Sequence, residues 1–145
     1  MKNPKWVAGI RALTKEHAGW YDQRGWNKDG IIKTMSRIDV PTDGASLPPG
    51  PQRIAGVAYA GDRGVSNVEF SADGGGTWET ADFVEPPAGK DTMVRWQGTF
   101  TLAAGARVTL VARATDGAGD LQIEGFSLPQ PEGGSGWDSI DVSSS

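Results

Sequence analysis

The chain has 145 residues and a formal net charge of −4. It offers no cationic stripe to displace counterions from phosphate, which argues against a nucleic-acid partner. It contains no cysteine, which excludes disulfides, cysteine-bound zinc, iron–sulfur clusters and thiol catalysis within this chain.

Twenty-one glycines and nine prolines occur beside six tryptophans and a 37% hydrophobic content. Turn-rich and aromatic together, such a composition points to one all-β domain rather than a disordered chain. No apolar run reaches the length of a transmembrane helix, and the N-terminus does not read as a signal peptide.

In chain order, residues 2–7 begin without a cap or leader, as in a domain cut from a longer protein or a natural start with a frayed end. Residues 6–13 read as a strand blurred by Gly9. Residues 14–29 hold Gly19-Trp20-Tyr21-Asp22-Gln23-Arg24-Gly25-Trp26. Its three aromatics could form a ligand platform; otherwise the stretch is a surface loop pinned by buried Trp rings, or a loop covering a neighbouring domain. His17 has no partner identifiable from sequence and defaults to a structural role. Residues 33–40 predict a strand ended by Pro41, which cannot donate to a ladder. After a Gly/Pro/Ser loop, residues 53–60 predict a closely packed strand of small side chains.

Residues 64–78 predict a central β-hairpin. Val68, Phe70 and Ala72 alternate with Asn67, Glu69 and Ser71, the period of a half-buried strand. Asp73-Gly74-Gly75-Gly76 supplies the reversal, and a return strand from Trp78 to about Phe83 follows, with Trp78 filling the core. Residues 94–102 alternate most regularly, placing Val94, Trp96, Gly98, Phe100 and Leu102 on one face. Residues 107–115, 121–126 and 137–142 complete the strands, and Ser143 to Ser145 are expected to fray. Short strands between Gly/Pro/Asp turns, with no internal repeat, indicate a sandwich or a barrel.

Catalytic patterns are weak. A serine hydrolase would have to use His17, and no nucleophile elbow is present. Nothing singles out a carboxylate pair for glycoside cleavage. Asp73 and the Asp116-Gly117-Ala118-Gly119-Asp120 turn could offer oxygens to calcium, but neither has EF-hand spacing, and Asp-Gly is chiefly turn chemistry. There is no phosphate loop and no dinucleotide fingerprint. Ser71-x-Asp73-x-Gly75-x-Thr77-Trp78 fits the Asp-box of sialidase-like propellers. That motif is a structural hairpin which propellers repeat, and here it stands alone.

The order of segments is more specific. Lys5-Trp6-Val7, Trp20-Tyr21-x-x-Arg24-Gly25-Trp26 and Lys33-Thr34-x-Ser36-Arg37-Ile38-Asp39-x-Pro41 come first. Gly56-Val57-Ala58-Tyr59-Ala60-Gly61, the 64–78 hairpin, Trp96, Arg113-Ala114-Thr115-Asp116 with Gln122, and Gly136-Trp137 follow. In this order the chain resembles, over nearly its whole length, the C-terminal part of sulfite-oxidase-like molybdopterin-dependent oxidoreductases. The resemblance implies an immunoglobulin-like (E-set type) antiparallel β-sandwich with an irregular N-terminal segment. Residues 1–45 would form a connector, comprising the end of a cofactor domain, the Trp-rich loop and the first strands. Residues 46–145 would form the dimerisation domain.

Implied partners are a second copy of the chain and an N-terminal domain holding the molybdopterin and the molybdenum-binding cysteine. This fragment alone would hold no cofactor and perform no catalysis. Asn3, Pro4 and Lys5 match the family's segment that touches the pterin phosphate through backbone amides and the lysine. The loop that supplies a substrate-pocket arginine in animal sulfite oxidases corresponds to residues 128–133, which contain no arginine; this does not favour sulfite as the parent's substrate. The alternative is a stand-alone carbohydrate- or protein-binding module using Trp20, Tyr21 and Trp26.

Overall fold

The computed structural model describes Trp6 and residues 8–15, 17–26 and 30–145. Its strands are β1 (Met35–Val40), β2 (Ser46–Leu47), β3 (Gly50–Tyr59), β4 (Val65–Ser71), β5 (Glu79–Thr80), β6 (Asp82–Phe83), β7 (Val94–Leu102), β8 (Arg107–Asp116) and β9 (Asp138–Ser144). They form a four-stranded sheet, β1-β3-β7-β6, facing a five-stranded sheet, β2-β9-β8-β4-β5. This is the all-β, immunoglobulin-like sandwich. No helix among the described residues is long and apolar enough to cross a membrane.

β7 has the bounds its alternation predicts. Val94, Trp96, Phe100 and Leu102 are buried while Arg95, Thr99 and Thr101 are exposed. It pairs antiparallel with β3 from Gly50↔Leu102 to Ala58↔Val94. From the opposite sheet Val68, Phe70, Leu110, Ala112, Ala114 and Val142 close on the same core. Trp96, fully buried, lies at its centre.

Two glycines are set by close packing, Gly98 between the layers and Gly56 within its own sheet. A Cβ at Gly98 would clash with the Phe70 ring, and one at Gly56 with the Arg37 carbonyl and the Trp96 ring. The smallest residue is therefore demanded by packing at both points, although neither has a positive φ.

β1 is hydrogen-bonded along β3 from Met35↔Tyr59 to Val40↔Ala55, so this strand, placed in the connector by the sequence reading, lies in the sandwich. The Asp138 carboxylate accepts a bond from the backbone N–H of Ile38 at 2.8 Å, satisfying a donor on the outer edge of β1.

Several expectations are corrected. Residues 8–13 form no strand, and Ile10 is 95% exposed, because their side chains have no sheet to pack on. Residues 121–126 make only an isolated bridge, Thr115↔Leu121, since Gln122 is drawn inward. The return strand of the hairpin divides: β5 pairs with β4, Ala81 is buried, and β6 pairs with β7 in the other sheet. The C-terminal serines do not fray. β2 pairs with β9 in parallel (Ser46↔Ser143, Leu47↔Ser144), the one departure from antiparallel order among the described residues, and the Ser145 N–H donates to Leu47 O at 2.8 Å.

Candidate functional site

The Trp-rich loop is built on a 3-10 turn, Asp22–Arg24, closed by Gly25 at φ 82°. The Asp22 carboxylate accepts from the Gly19 N–H at 2.8 Å. Trp20 and Tyr21 meet edge-on at 4.9 Å, and Tyr21 and Trp26 at 5.7 Å. The Arg24 guanidinium lies 3.4 Å from the Trp20 ring centroid, a cation–π contact that occupies one indole face. Sequence reasoning thus finds the aromatic trio, and the structure brings it together. It did not foresee the loop's partner: Gln130 Nε2 donates to Arg24 O, and Lys33 Nζ to Gly133 O, both at 3.0 Å. A cavity of about 220 Å3 lies between the two segments, lined by Trp26, Ile31, Ile32, Met35 and Pro131 among others. His17 is exposed. Asn3, Pro4 and Lys5 lie outside the described residues.

At the same end, Asp116 closes β8 and is buried. Its Oδ2 accepts from Arg63 Nε at 2.7 Å and Thr34 Oγ1 at 3.3 Å, and its Oδ1 from the N–H groups of Ala118 and Asp120, each at 3.0 Å. Burial alone would push this carboxyl up. The bonds from Arg63 and the turn amides outweigh it and hold the group below the ordinary carboxylate range. Arg63 also donates to Ile32 O at 3.0 Å, fixing the strand's approach. A Cβ at Gly117 would clash with the Arg63 carbonyl, so the turn has little room to change. The donor set is that of a structural ion pair, and the turn's carboxylate is already engaged.

Gln122 is a second buried anchor, 3% exposed. Its Oε1 accepts from Ser36 Oγ at 2.8 Å and the Ala114 N–H at 3.0 Å, and its Nε2 donates to Gly136 O at 2.8 Å. Trp137 Nε1 donates to its carbonyl at 3.0 Å. Sequence reasoning saw this residue only as part of the resemblance. A glutamine flanked by Leu121 and Ile123 gives no local signal that it is the one turned inward.

The Asp-box hairpin closes on itself. Ser71 Oγ donates to Asp73 Oδ1 at 2.6 Å and accepts from the Gly75 N–H at 2.9 Å. Asp73 also accepts from the Thr77 N–H at 2.8 Å and the Thr77 hydroxyl at 2.7 Å. The Ser71 hydroxyl, then Thr77, hold the Asp73 carboxyl well below the usual range. Trp78 does not fill the core. It lies on the outer face of the five-stranded sheet, edge-on to Trp137 at 5.1 Å, with the Arg113 guanidinium 3.8 Å from its ring centroid. Arg113 is steered there by the cross-strand carboxylate of Glu69 at 2.9 Å, and alternation past the turn has shifted the indole to the outer side.

Among the described residues no three His, Cys, Asp or Glu side chains gather as a metal site. What the fold and this surface define is a β-sandwich module with bonded anchors and an aromatic, partly apolar end. No family model matches the chain. It is 32% identical to sulfite oxidase from Gallus gallus over 95 residues, covering 63% of this chain and 21% of that protein. It is 23% identical to sulfite oxidase from Arabidopsis thaliana over 149 aligned residues, covering 85% and 38%. The sulfane dehydrogenase SoxCD from Paracoccus pantotrophus superposes with a TM-score of 0.56 at 28% identity, covering 63% of this chain and 23% of the other. These likenesses support reading the chain as similar to a sulfite-oxidase-like C-terminal domain, and it spans well under half the length of these relatives.

Proposed function

We propose that this chain is the dimerisation and scaffolding module of a molybdenum-cofactor oxidoreductase of the sulfite oxidase family, with the redox chemistry carried by another domain. The observation behind this reading is the coincidence of the sandwich with likeness to sulfite oxidases over 63% to 85% of the chain. The donor set here does not fit a molybdenum centre. The chain has no cysteine to supply a thiolate, and its best-held carboxylates are committed to Arg63 and to turn amides. No reaction step is therefore assigned to it. Molybdopterin belongs, in this reading, to a preceding domain, and Asn3, Pro4 and Lys5 would meet its phosphate, the lysine as a point cation. Residues 1–45 would then connect that domain to the dimerisation module of residues 46–145, with β1 of the connecting segment completing the four-stranded sheet. The absence of an arginine from residues 128–133 favours a parent substrate other than sulfite.

A two-fold contact of this kind needs about 800 Å2 per partner. Sedimentation equilibrium should return a dimer, and a strict monomer at high micromolar concentration would remove the dimerisation role. A second reading is supported by the exposure of Trp20 and Tyr21, which suits a carbohydrate- or protein-binding module. Against it, Arg24 already covers one face of the Trp20 indole. Saturable quenching of tryptophan fluorescence by a glycan, lost in Trp20→Ala, would favour this second reading.

A further inference from the structure

We infer that the free edge of β7 at Thr99 and Thr101, with the acidic recess beside it, binds an extended basic peptide segment of another protein, which joins the four-stranded sheet as a further strand. The edge is opened by the divided return strand. β6 pairs with β7 only at Asp82↔Gln97 and Phe83↔Trp96. Continued backwards along β7, that pairing would set Thr80 opposite Thr99. Thr80 pairs instead with Glu69 in the other sheet, so β7 runs on past its neighbour.

One bond fixes which way the backbone groups point. The Val84 N–H donates to Arg95 O at 2.9 Å, so Arg95 turns its backbone towards the β6 side. In an antiparallel ladder the N–H and C=O of a residue share a direction, and every second residue shares it too. Gln97, Thr99 and Thr101 therefore face this side, and beyond Gln97 no strand of the sheet covers them. Both threonines are exposed.

Elsewhere the same sheet guards its edges. On β1 the Ile38 N–H is bonded by Asp138, and the register shifts just after it. Where β3 outruns β1, Pro51 faces outward with no N–H to offer. Residues 99–101 hold no proline and no charge, and their register with β3 is unbroken. β7 thus keeps the kind of pairing edge that proteins ordinarily blunt.

The recess selects the occupant. It measures about 440 Å3, and Phe70, Glu79, Asp82 and Gly98 help to line it. Glu79 stands on β5 and Asp82 on β6, so the carboxylates flank the crossing between the sheets. Among the described residues neither is in an ion pair. Arg53 is also there, its guanidinium bonded to Gln97 Oε1 at 3.1 Å. Two carboxylates against one guanidinium leave the recess net acidic, which suits a lysine or arginine side chain. Backbone donors and acceptors repeating about every 6.8 Å along the edge match another strand rather than a sugar. Paired edge to edge with a second copy, β7 would lay residues 100–105 over the recess, and these carry no charge to answer Glu79 and Asp82.

Amide exchange followed by NMR tests this on the 145-residue chain, with the acetylated and amidated hexapeptide Thr-Val-Lys-Val-Thr-Val as probe. At saturation the Thr99 and Thr101 amides should exchange about tenfold more slowly or better. N-methylation of one alternate set of peptide amides should abolish binding, and methylation of the other set should leave it. Replacing the peptide's lysine by glutamate should weaken binding about tenfold. The double variant Glu79→Gln, Asp82→Asn should erase that preference at an unchanged melting temperature, and Thr101→Pro should remove the slowing at Thr99. No saturable binding at millimolar peptide, tolerance of both methylated sets, or equal affinity for the lysine and glutamate peptides overturns the inference. So does slowing at Thr99 and Thr101 that rises with the concentration of the chain alone, which would assign the edge to a second copy.

Discussion

Two glycine-rich connections leave the five-stranded sheet and treat their polar groups in opposite ways. Residues 71–77 spend theirs on one another: the Ser71 hydroxyl and the Asp73 carboxylate bond within the turn, and the loop would keep its shape almost anywhere. Residues 121–136 send theirs into the protein. Gln122 reaches β1, β8 and Gly136, which turns the neighbouring leucine and isoleucine outward. The lesson is that a turn motif recognisable in sequence is the one with least to offer a partner. The connection with no local signature is the one whose surface is left uncovered.

The contrast can be broken most severely from below. Trp96→Ala removes the ring on which both layers rest and should cost about 3–5 kcal/mol. Denaturant melts followed by exchange should show both connections losing protection together. Asp116→Ala comes next. It leaves Arg63 without its carboxylate and frees the Ala118 and Asp120 amides, at a cost of about 3 kcal/mol. Exchange should rise at Ile32 as well as in the turn. Gln122→Ala strands the Ser36 hydroxyl, the Ala114 N–H and the Gly136 carbonyl, and should cost about 2 kcal/mol. Its mark should be selective loosening of 121–136 with residues 71–77 unchanged; loosening of both would erase the distinction drawn here.

The smallest effect is expected at Asp73, where the bonds are exposed. Asp73→Asn should lower the melting temperature less than either anchor variant. Its pH dependence carries the clearer sign. The folded carboxyl lies below its ordinary value near 3.8, so its contribution is complete at neutral pH and is lost as pH falls below about 4 and through the folded value. Acid melts of the wild type should therefore fall more steeply than those of Asp73→Asn. Equal slopes would mean that the turn bonds add nothing to stability.

Legibility followed periodicity. β7 could be read to the residue because its large apolar side chains on one face are buried while Arg95, Thr99 and Thr101 on the other are exposed. The same holds for most of β4 and β8, whose Val68, Phe70, Leu110 and Ala112 all reach the core. The family resemblance was also legible, because it rested on the order of many segments. Readings failed wherever a side chain's surroundings depended on distant elements. Trp78 reads as core by composition, yet Arg113 and Trp137 receive it on the outer face. Leu121 and Ile123 read as a strand, yet the buried neighbour is the glutamine between them. The C-terminal serines read as frayed because serine has no strand preference, yet β2 offers them a ladder from 98 residues away. The Trp-rich loop was seen, but its bond to Gln130 spans 106 residues and leaves no local trace.

The divided return strand has a mechanical consequence. Two sheets joined only by side-chain packing can slide past one another, because dispersion forces resist shear weakly. In this sandwich the chain passes from β5 to β6 through the buried Ala81, whose N–H donates to Val68 O in one sheet while Val84, just beyond, donates to Arg95 O in the other. The layers are thus stitched by covalent bonds at their common edge. The backbone itself, in addition to core packing, therefore resists sliding of one layer past the other at this edge.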